Sequence, residues 1–225
     1  QIHGLDLRHT PSVELFTRFL LERLPRLDYI LNNACQTVRR PAGFFQHLLA
    51  AEAESVAALP PPLRGVLANH NELRQTIEGA HGIGALVADI TTRMHGEGLL
   101  HSAALSQRRY LDEDYRDKDT LFPAGRYDED RQQVDLREVN SWRLRMHEVE
   151  TPELLEVQLV NAVAPYILNA RLKPLMLRTP ERDKHVVNVS AVEGQFYRRF
   201  KTTRHPHTNM AKAALNMMTR TSAAD

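Results

Sequence analysis

Residues 184–225 read KHVVNVSAVEGQFYRRFKTTRHPHTNMAKAALNMMTRTSAAD, and this stretch decides the fold that the sequence predicts. It opens with a short apolar run that ends at Ser190 and is followed by Gly194. Such a run is typical of a buried strand, and open α/β sheets place their ligands at the carboxyl ends of such strands. The stretch closes with a helix in which Thr208 and Lys212 lie one turn apart, so both side chains leave the same face. The pattern predicts a strand-end hydroxyl and a hydroxyl–lysine pair on consecutive elements.

The first 35 residues predict a strand, a helix and a second strand. Ile2–Leu7 and Leu27–Leu31 have the apolar content of strands, and the run SVELFTRFLLERL between them has the apolar spacing of a helix. Thr10 is expected to cap this helix, and Pro11 to occupy its first position. Because short connections join the three elements, they predict a βαβ unit and hence a parallel sheet.

A long helix is predicted from Thr151 onward, with the sequence LLEVQLVNAVAPYILNARLKPLM. Thr151-Pro152-Glu153 is a favourable helix start, since an acidic residue in the first turn interacts well with the helix dipole. The helix is apolar around most of its circumference, so we expect it to be buried on more than one side. Asn161 lies within it, and one interpretation is that its side chain bonds a carbonyl left free where Pro165 removes a helix N–H.

In this order, the motifs resemble those of the short-chain dehydrogenase/reductase family. LDYILNNA is similar to that family's LDxLVNNAG, VNAVAPY to VNxxAPF, and TNMAKAALN to YxASKAAL. The resemblance covers residues 1–35 and 151–225. It implies an α/β fold, a Rossmann-like, doubly wound, three-layer parallel sheet that is incomplete at its N-terminus. Residues 1–225 are then expected to be one domain, as a fragment, with residues 36–150 as a mostly helical and loop insertion or lid.

The resemblance also implies NAD(P)-dependent oxidoreduction, in which hydride passes between nicotinamide and a small carbonyl or alcohol substrate. In the family, the residue matching Ser190 holds the substrate oxygen, and the one matching Asn161 belongs to a proton relay. The residue matching Lys212 grips the nicotinamide ribose and lowers the pKa of a catalytic tyrosine. The residues expected to bind the cofactor, NAD or NADP, are Asp6, Asn32, Ala34 and Lys212. For Asp6, the alternative is that it caps the loop that follows it.

Thr208 stands where the family has its catalytic tyrosine. A phenol starts near pKa ~10, and a neighbouring ammonium brings it toward a working value, whereas an aliphatic hydroxyl is a far weaker acid. Tyr197, or one of the imidazoles of His205 and His207, is the alternative proton donor. The remaining alternative is a catalytically inactive protein of the same fold, serving as a binding or structural subunit of a larger assembly.

Composition restricts the partners that we expect. A net charge of +1 gives no reason to expect nucleic acid or a membrane surface as a partner. The single cysteine, Cys35, excludes an internal disulfide and favours the cytoplasm or another reducing compartment. The sequence has no HExxH and no paired Cys/His spacing, so no metal site is expected. Three methionines, expected either in the core or in a homodimer interface, are Met210, Met217 and Met218.

Two further segments have alternative interpretations. Gly79, Gly82 and Gly84 are similar to a phosphate-binding TGxxxGIG, but the spacing is one residue short, so we expect turn residues. The basic residues between Arg198 and Arg204 are expected to form a solvated loop. In the family interpretation, this loop flanks the substrate entrance and meets an anionic group.

Overall fold

The computed structural model describes residues 1–52, 54, 56–78 and 95–225, without the side chains of residues 50 and 51. The chain divides into two compact units. The first consists of Gln1–Leu15 and Arg40–Arg137, and the second of Phe16–Arg39 and Glu138–Asp225. Helix α1 (Thr10–Arg23) begins in the first unit and ends in the second. It starts at the predicted Thr10 and ends before Pro25.

The first unit is helical in its described part. Helix α2 is Gln46–Glu52, helix α3 is Pro61–Glu78, and residues 95–100 are also helical. Short α-helical turns lie at Ser102–Leu105 and Lys118–Leu121, and 3-10 turns at Val56–Ala58 and Asp112–Tyr115. Most of the 36–150 segment, predicted to be helix and loop, lies in this unit. Its largest buried apolar side chains are Phe44, Leu73, Ile77, Leu99 and Phe122.

The N-terminal segment of this unit is not a strand, so the strand predicted at Ile2–Leu7 is wrong. Its backbone N–H groups bond to scattered partners instead of to a ladder. The N–H of Ile2 donates to the carbonyl of Val66 at 2.7 Å, and that of Asp6 donates to the carbonyl of Gly98 at 2.8 Å. Val66 and Gly98 lie 32 residues apart, so they do not belong to one strand that could pair with Ile2–Leu7. The sequence of Ile2–Leu7 alone does not show that such a strand is missing.

The second unit carries the long helices. Helix α4 is Thr151–Gln158, a π-helical turn follows at Leu159–Val163, and helix α5 is Ala164–Met176. Helix α6 is Pro206–Ser222. The helices predicted from Thr151 and after Ser190 are confirmed, and the π turn is a departure from a regular helix. Three 3-10 turns complete the unit, at Ser141–Arg143, Met146–Glu148 and Val192–Gly194.

Two short strands pair in parallel in this unit. Strand β1 (Tyr29–Asn32) lies against β2 (His185–Asn188), with Tyr29 opposite His185 and Asn32 opposite Asn188. Both strands are close to where the sequence predicts them. They are the only strands among residues 1–52, 54, 56–78 and 95–225, and the rest is mostly helical, so the predicted doubly wound, three-layer sheet is wrong.

The core of the second unit covers one side of β1. Ile30 packs with Leu172, Leu175 and Met176, and partly buried leucines surround this cluster. The expectation that β2 is a buried strand is wrong, since its valines keep 42–46% of their surface exposed. A strand is buried on both faces only when other elements cover both sides of its sheet. Among the described residues, a packed cluster covers only the side on which Ile30 lies.

Candidate functional site

The carboxyl ends of β1 and β2 are joined by an asparagine cluster. The amide nitrogen of Asn32 donates to the side-chain oxygens of Asn169 at 2.9 Å and Asn188 at 2.8 Å. The amide nitrogen of Asn188 donates in turn to the hydroxyl of Thr219 at 2.9 Å. This chain of bonds fixes β1, β2, α5 and α6 to one another. Both N–H groups of the Asn32 side chain are therefore used within the protein.

Lys212 is a buried cation at the end of β2. Its residue surface is 3% exposed, and its ammonium donates a hydrogen bond to the carbonyl of Val189 at 2.8 Å. The hydroxyl of Ser190 lies 3.5 Å from the backbone carbonyl of Lys212, a long hydrogen bond. The sequence-predicted pair of Ser190 and Lys212 is thus brought together at the point where β2 ends. An ammonium has three donors, so two remain after the bond to Val189.

Asn161 lies in the π turn and binds the segment that follows β1. Its side-chain oxygen accepts from the backbone N–H of Gln36 at 2.7 Å, and its amide donates to the carbonyl of Gln36 at 2.8 Å. Asn161 is 1% exposed. The Asn161 side chain therefore pairs with the backbone of Gln36. It does not bond a carbonyl of its own helix, as the interpretation based on Pro165 suggested. Among the described residues, no hydrogen bond joins Asn161 to Lys212.

Thr208 and His207 lie side by side at the start of α6, and both are buried. The hydroxyl of Thr208 has no hydrogen-bond partner in the described part of the chain, and neither do the two ring nitrogens of His207. Nε2 of His207 lies 3.4 Å from a carboxylate oxygen of Glu153, close enough for a charge contact but outside hydrogen-bond geometry. Neither the Thr208 hydroxyl nor the His207 imidazole is open to solvent.

The other two candidate proton donors have different surroundings. Tyr197 is fully exposed, at 100% of its surface. His205 has a positive φ of 42° and precedes Pro206 at the start of α6. Its ring stacks on that of Trp142, with centroids 4.0 Å apart and planes 8° apart. Partial burial lowers the pKa of His205, against the opposing effects of Asn209 and Glu193.

A buried polar cluster around Glu153 was missed by sequence reasoning. Glu153 lies in the first turn of α4, close to His207, Ser141 and Arg39. Burial acts to raise the pKa of Glu153, but the contacts with these three residues outweigh it, and the pKa is lowered overall. Arg39 also lies 3.5 Å from Glu156, and its backbone N–H donates to Ser141 at 2.8 Å. The only signal in the sequence was Glu153 itself, whose role we had limited to a favourable interaction with the helix dipole.

The remaining predicted site residues lie apart from this arrangement. Asp6 belongs to the first unit, where it accepts from the backbone N–H of Arg8 at 2.9 Å and forms an ion pair with the same arginine at 2.8 Å. That geometry is the loop cap that we gave as the alternative for Asp6. Ala34 is exposed after β1. The glycines at 79, 82 and 84 lie outside the described residues.

Metal ligation and membrane insertion find no support in the described residues. They contain no group of three or more histidine, cysteine, aspartate or glutamate side chains placed to hold a metal ion. Within the same residues, no helix is long and apolar enough to cross a membrane. Met210 and Met217 are more than half exposed on α6, so the homodimer interface stays a prediction.

Comparison with known proteins identifies a viral relative. The chain is 37% identical over 87 residues to uncharacterized protein R665 of Acanthamoeba polyphaga mimivirus. This match covers 39% of the chain and 18% of the viral protein. No protein family and no solved structure matches the chain.

Proposed function

We propose that this protein binds a nicotinamide nucleotide and catalyses NAD(P)-dependent oxidoreduction of a small carbonyl or alcohol substrate. The observation that carries the proposal is the contact between Lys212 and the end of β2. Burying an ammonium is expensive unless it is well paired, and the only acceptor of Lys212 in the described residues is the neutral carbonyl of Val189. A buried cation with spare donors is a candidate for ligand binding.

Two polar groups at the same strand end support this assignment. Ser190 follows the carbonyl that binds Lys212, and its hydroxyl is the natural group to hold a substrate oxygen. The two remaining donors of the Lys212 ammonium suit the hydroxyl groups of a ribose. Bound nicotinamide would supply the hydride, and the chain would supply the orientation of substrate and ribose. These roles follow the resemblance to the short-chain dehydrogenases/reductases.

The candidates for the residue that transfers the proton include Thr208, Tyr197 and His205. Thr208 is buried and is too weak an acid to serve by itself. Tyr197 is fully exposed, and it makes no hydrogen bond with Ser190 or Lys212 in the described structure. His205 is the other candidate, and its lowered pKa favours the neutral ring at pH 7, which is the form that accepts a proton when an alcohol is oxidised.

A second candidate function is nucleotide binding without turnover, as a binding or structural subunit. The burial of Thr208 favours it, since the position that holds the family's tyrosine is closed to solvent and carries a hydroxyl with no hydrogen-bond partner in the described part of the chain. In this case, Lys212 and Ser190 hold a nucleotide, and no proton is moved.

The test is a titration of the full chain with NADH and with NADPH, followed by nucleotide fluorescence. Lys212→Met keeps the length of the side chain and removes its charge, so we expect nucleotide affinity to fall about tenfold or more. Lys173→Met is the matched control, because Lys173 lies on the surface of the same unit in an ion pair with Asp225 at 2.6 Å. This control should bind nucleotide as the parent protein does.

The outcomes separate the two candidates. Nucleotide binding together with oxidation of NADH or NADPH by small aldehydes or ketones supports the oxidoreductase. Binding without turnover across such a panel supports the non-catalytic function. If neither nucleotide binds, or if Lys212→Met binds as tightly as Lys173→Met, both candidates are overturned.

A further inference from the structure

We propose that Arg145 and Arg204 form an anion-binding site that takes a phosphate or carboxylate attached to a planar ring. The site lies in the second unit and is separate from the contact of Lys212 with β2. It rests on three observations: the backbone pairing of the two arginines, the lack of partners for their side chains among the described residues, and an aromatic stack next to them.

The backbone places the two arginines directly opposite each other. Arg145 and Arg204 form an isolated antiparallel bridge, and the N–H of His205 donates to the carbonyl of Leu144 at 2.7 Å. Because that bond joins the residue after Arg204 to the residue before Arg145, the arginines form the non-hydrogen-bonded type of pair. In such pairs, the Cα atoms are only about 4.5 Å apart, and both side chains leave the same face.

Two like charges in this arrangement repel each other unless an anion lies between them. Both arginines are exposed, and neither guanidinium has a hydrogen bond or ion pair with any other described residue. The carboxylate of Glu148 accepts from the backbone N–H of Arg145 at 2.7 Å, and not from its guanidinium. The pair therefore has open guanidinium donors, which match phosphate and carboxylate oxygens in a bidentate manner.

The preference for a planar ring comes from the residues next to the pair. His205 follows Arg204 in sequence, and it covers one face of the Trp142 ring at 4.0 Å. Trp142 lies three residues before Arg145 and is 41% exposed, so its ring is still open to a ligand. A ring that stacks on Trp142 would place an attached anion near the two arginines.

The geometry allows a direct binding experiment. Trp142 is the only tryptophan of the chain, so its fluorescence reports on this surface alone. The probes are phenyl phosphate, inorganic phosphate and benzyl alcohol, titrated into the full chain at low ionic strength. We expect a saturable change with phenyl phosphate, weaker binding of inorganic phosphate, and no saturation with benzyl alcohol.

The variants Arg145→Gln and Arg204→Gln should each weaken phenyl phosphate binding about tenfold or more. Arg220→Gln is the matched control, since Arg220 is an exposed arginine near the end of α6 and should leave binding unchanged. Both substitutions in the pair are on the surface, and unchanged thermal unfolding would show that the fold is kept. Lys212→Met should leave phenyl phosphate binding unchanged, so this proposal and the nucleotide proposal fail independently.

Three results would overturn the site. The first is phenyl phosphate binding that is equal in the parent, Arg145→Gln and Arg204→Gln proteins. The second is binding of benzyl alcohol as tight as that of phenyl phosphate, which would mean that the ring binds without the arginines. The third is phenyl phosphate binding that Arg220→Gln and Arg204→Gln weaken equally, which would mean a general attraction of anions and not a defined pair.

Discussion

Gly194 lies so close to the backbone of Lys212 that a side chain at this position would collide with it. A Cβ built on Gly194 is 2.6 Å from the carbonyl carbon of Lys212 and 2.8 Å from its oxygen. These two are backbone atoms of α6, which cannot turn aside as a flexible side chain can, and the side-chain nitrogen of Asn216 also lies 2.8 Å away. The same carbonyl oxygen faces the hydroxyl of Ser190 at 3.5 Å, so the close approach of Gly194 helps to fix Ser190 against Lys212.

We therefore predict that Gly194→Ala destabilises the protein by about 1–3 kcal/mol, since the turn at Val192–Gly194 must move away from α6. If Ser190 and Lys212 hold a ligand together, nucleotide affinity should fall as well. Chemical denaturation and NADH titration measure the two effects.

Gly65→Ala is the control for this substitution. A Cβ on Gly65 has nothing within 4 Å, and the residue lies inside helix α3. Alanine is favoured over glycine in a helix, so Gly65→Ala should stabilise the protein by about 0.5–1 kcal/mol. Equal stability changes in the two variants would contradict the packing of Gly194 described above.

Asn161 gives a second prediction, because its amide makes two hydrogen bonds with the backbone of one residue, Gln36. Asn161→Leu removes both bonds and leaves the partly buried N–H and carbonyl of Gln36 unpaired. We expect a loss of about 3 kcal/mol in the free energy of unfolding. Denaturation at pH 7 measures it.

Asn161→Asp tests the geometry of the same contact. One carboxylate oxygen still accepts from the N–H of Gln36, but the other faces the Gln36 carbonyl without a proton to donate. The variant should be destabilised at pH 7 and should recover part of the difference from the parent protein in acid, where a protonated carboxyl group donates. A difference that does not change with pH would show that the Asn161 amide does not donate to Gln36.

Local sequence patterns reveal the features that depend on neighbouring residues. Thr10 starts α1, Thr151 starts α4, and the apolar runs before Asn33 and Ser190 are strands, because these features depend on neighbouring residues. The exposure of the β2 valines and the absence of a strand at Ile2–Leu7 depend on what lies against those segments, which no local pattern contains.

The candidate site follows the same rule. The sequence indicated Ser190 because it ends a short apolar run, and Lys212 because it lies one turn after Thr208 on the helix that follows. The partner of Asn161 lies 125 residues away in sequence, and the bridge of Arg145 with Arg204 forms across two loops. Contacts of this kind need the fold before they can be identified. Because the predicted sheet was wrong, neither the contact of Asn161 with Gln36 nor the bridge between Arg145 and Arg204 could be predicted.

His70 predicts an acid dependence of stability in the first unit. Its pKa is lowered to about 4, mainly by burial and then by the charges of His3 and Arg74. The unfolded chain binds this proton near pH ~6.5, whereas the folded chain does not until about pH 4. Stability should therefore fall as the pH decreases from about 6.5 to about 4, and level off below.

His70→Gln should make the thermal midpoint less dependent on pH across this range. The pKa values of His3 and His9 are also lowered, chiefly by burial, so a smaller dependence of the same sign should remain. Thermal unfolding at pH 7, 6, 5 and 4 compares the parent with the variant. Parallel curves for the two proteins would show that His70 is not the group responsible.

Thr208 provides the last prediction, and it bears on catalysis. Its hydroxyl is buried without a hydrogen-bond partner in the described structure, so the group has lost its hydration and gained nothing in return. Thr208→Val keeps the shape and removes the hydroxyl. We expect the variant to be as stable as the parent or more stable, by up to about 1 kcal/mol.

Thr219→Val is the matched control on the same helix, since the Thr219 hydroxyl donates to the carbonyl of Leu215 and accepts from Asn188, both at 2.9 Å. It should destabilise the protein by about 1–2 kcal/mol. Thr208→Val should also leave nucleotide binding and any turnover unchanged, because a buried hydroxyl that is a weak acid has no part in proton transfer. Loss of turnover with full stability in Thr208→Val would instead mean that α6 opens during the reaction and exposes this hydroxyl to the substrate.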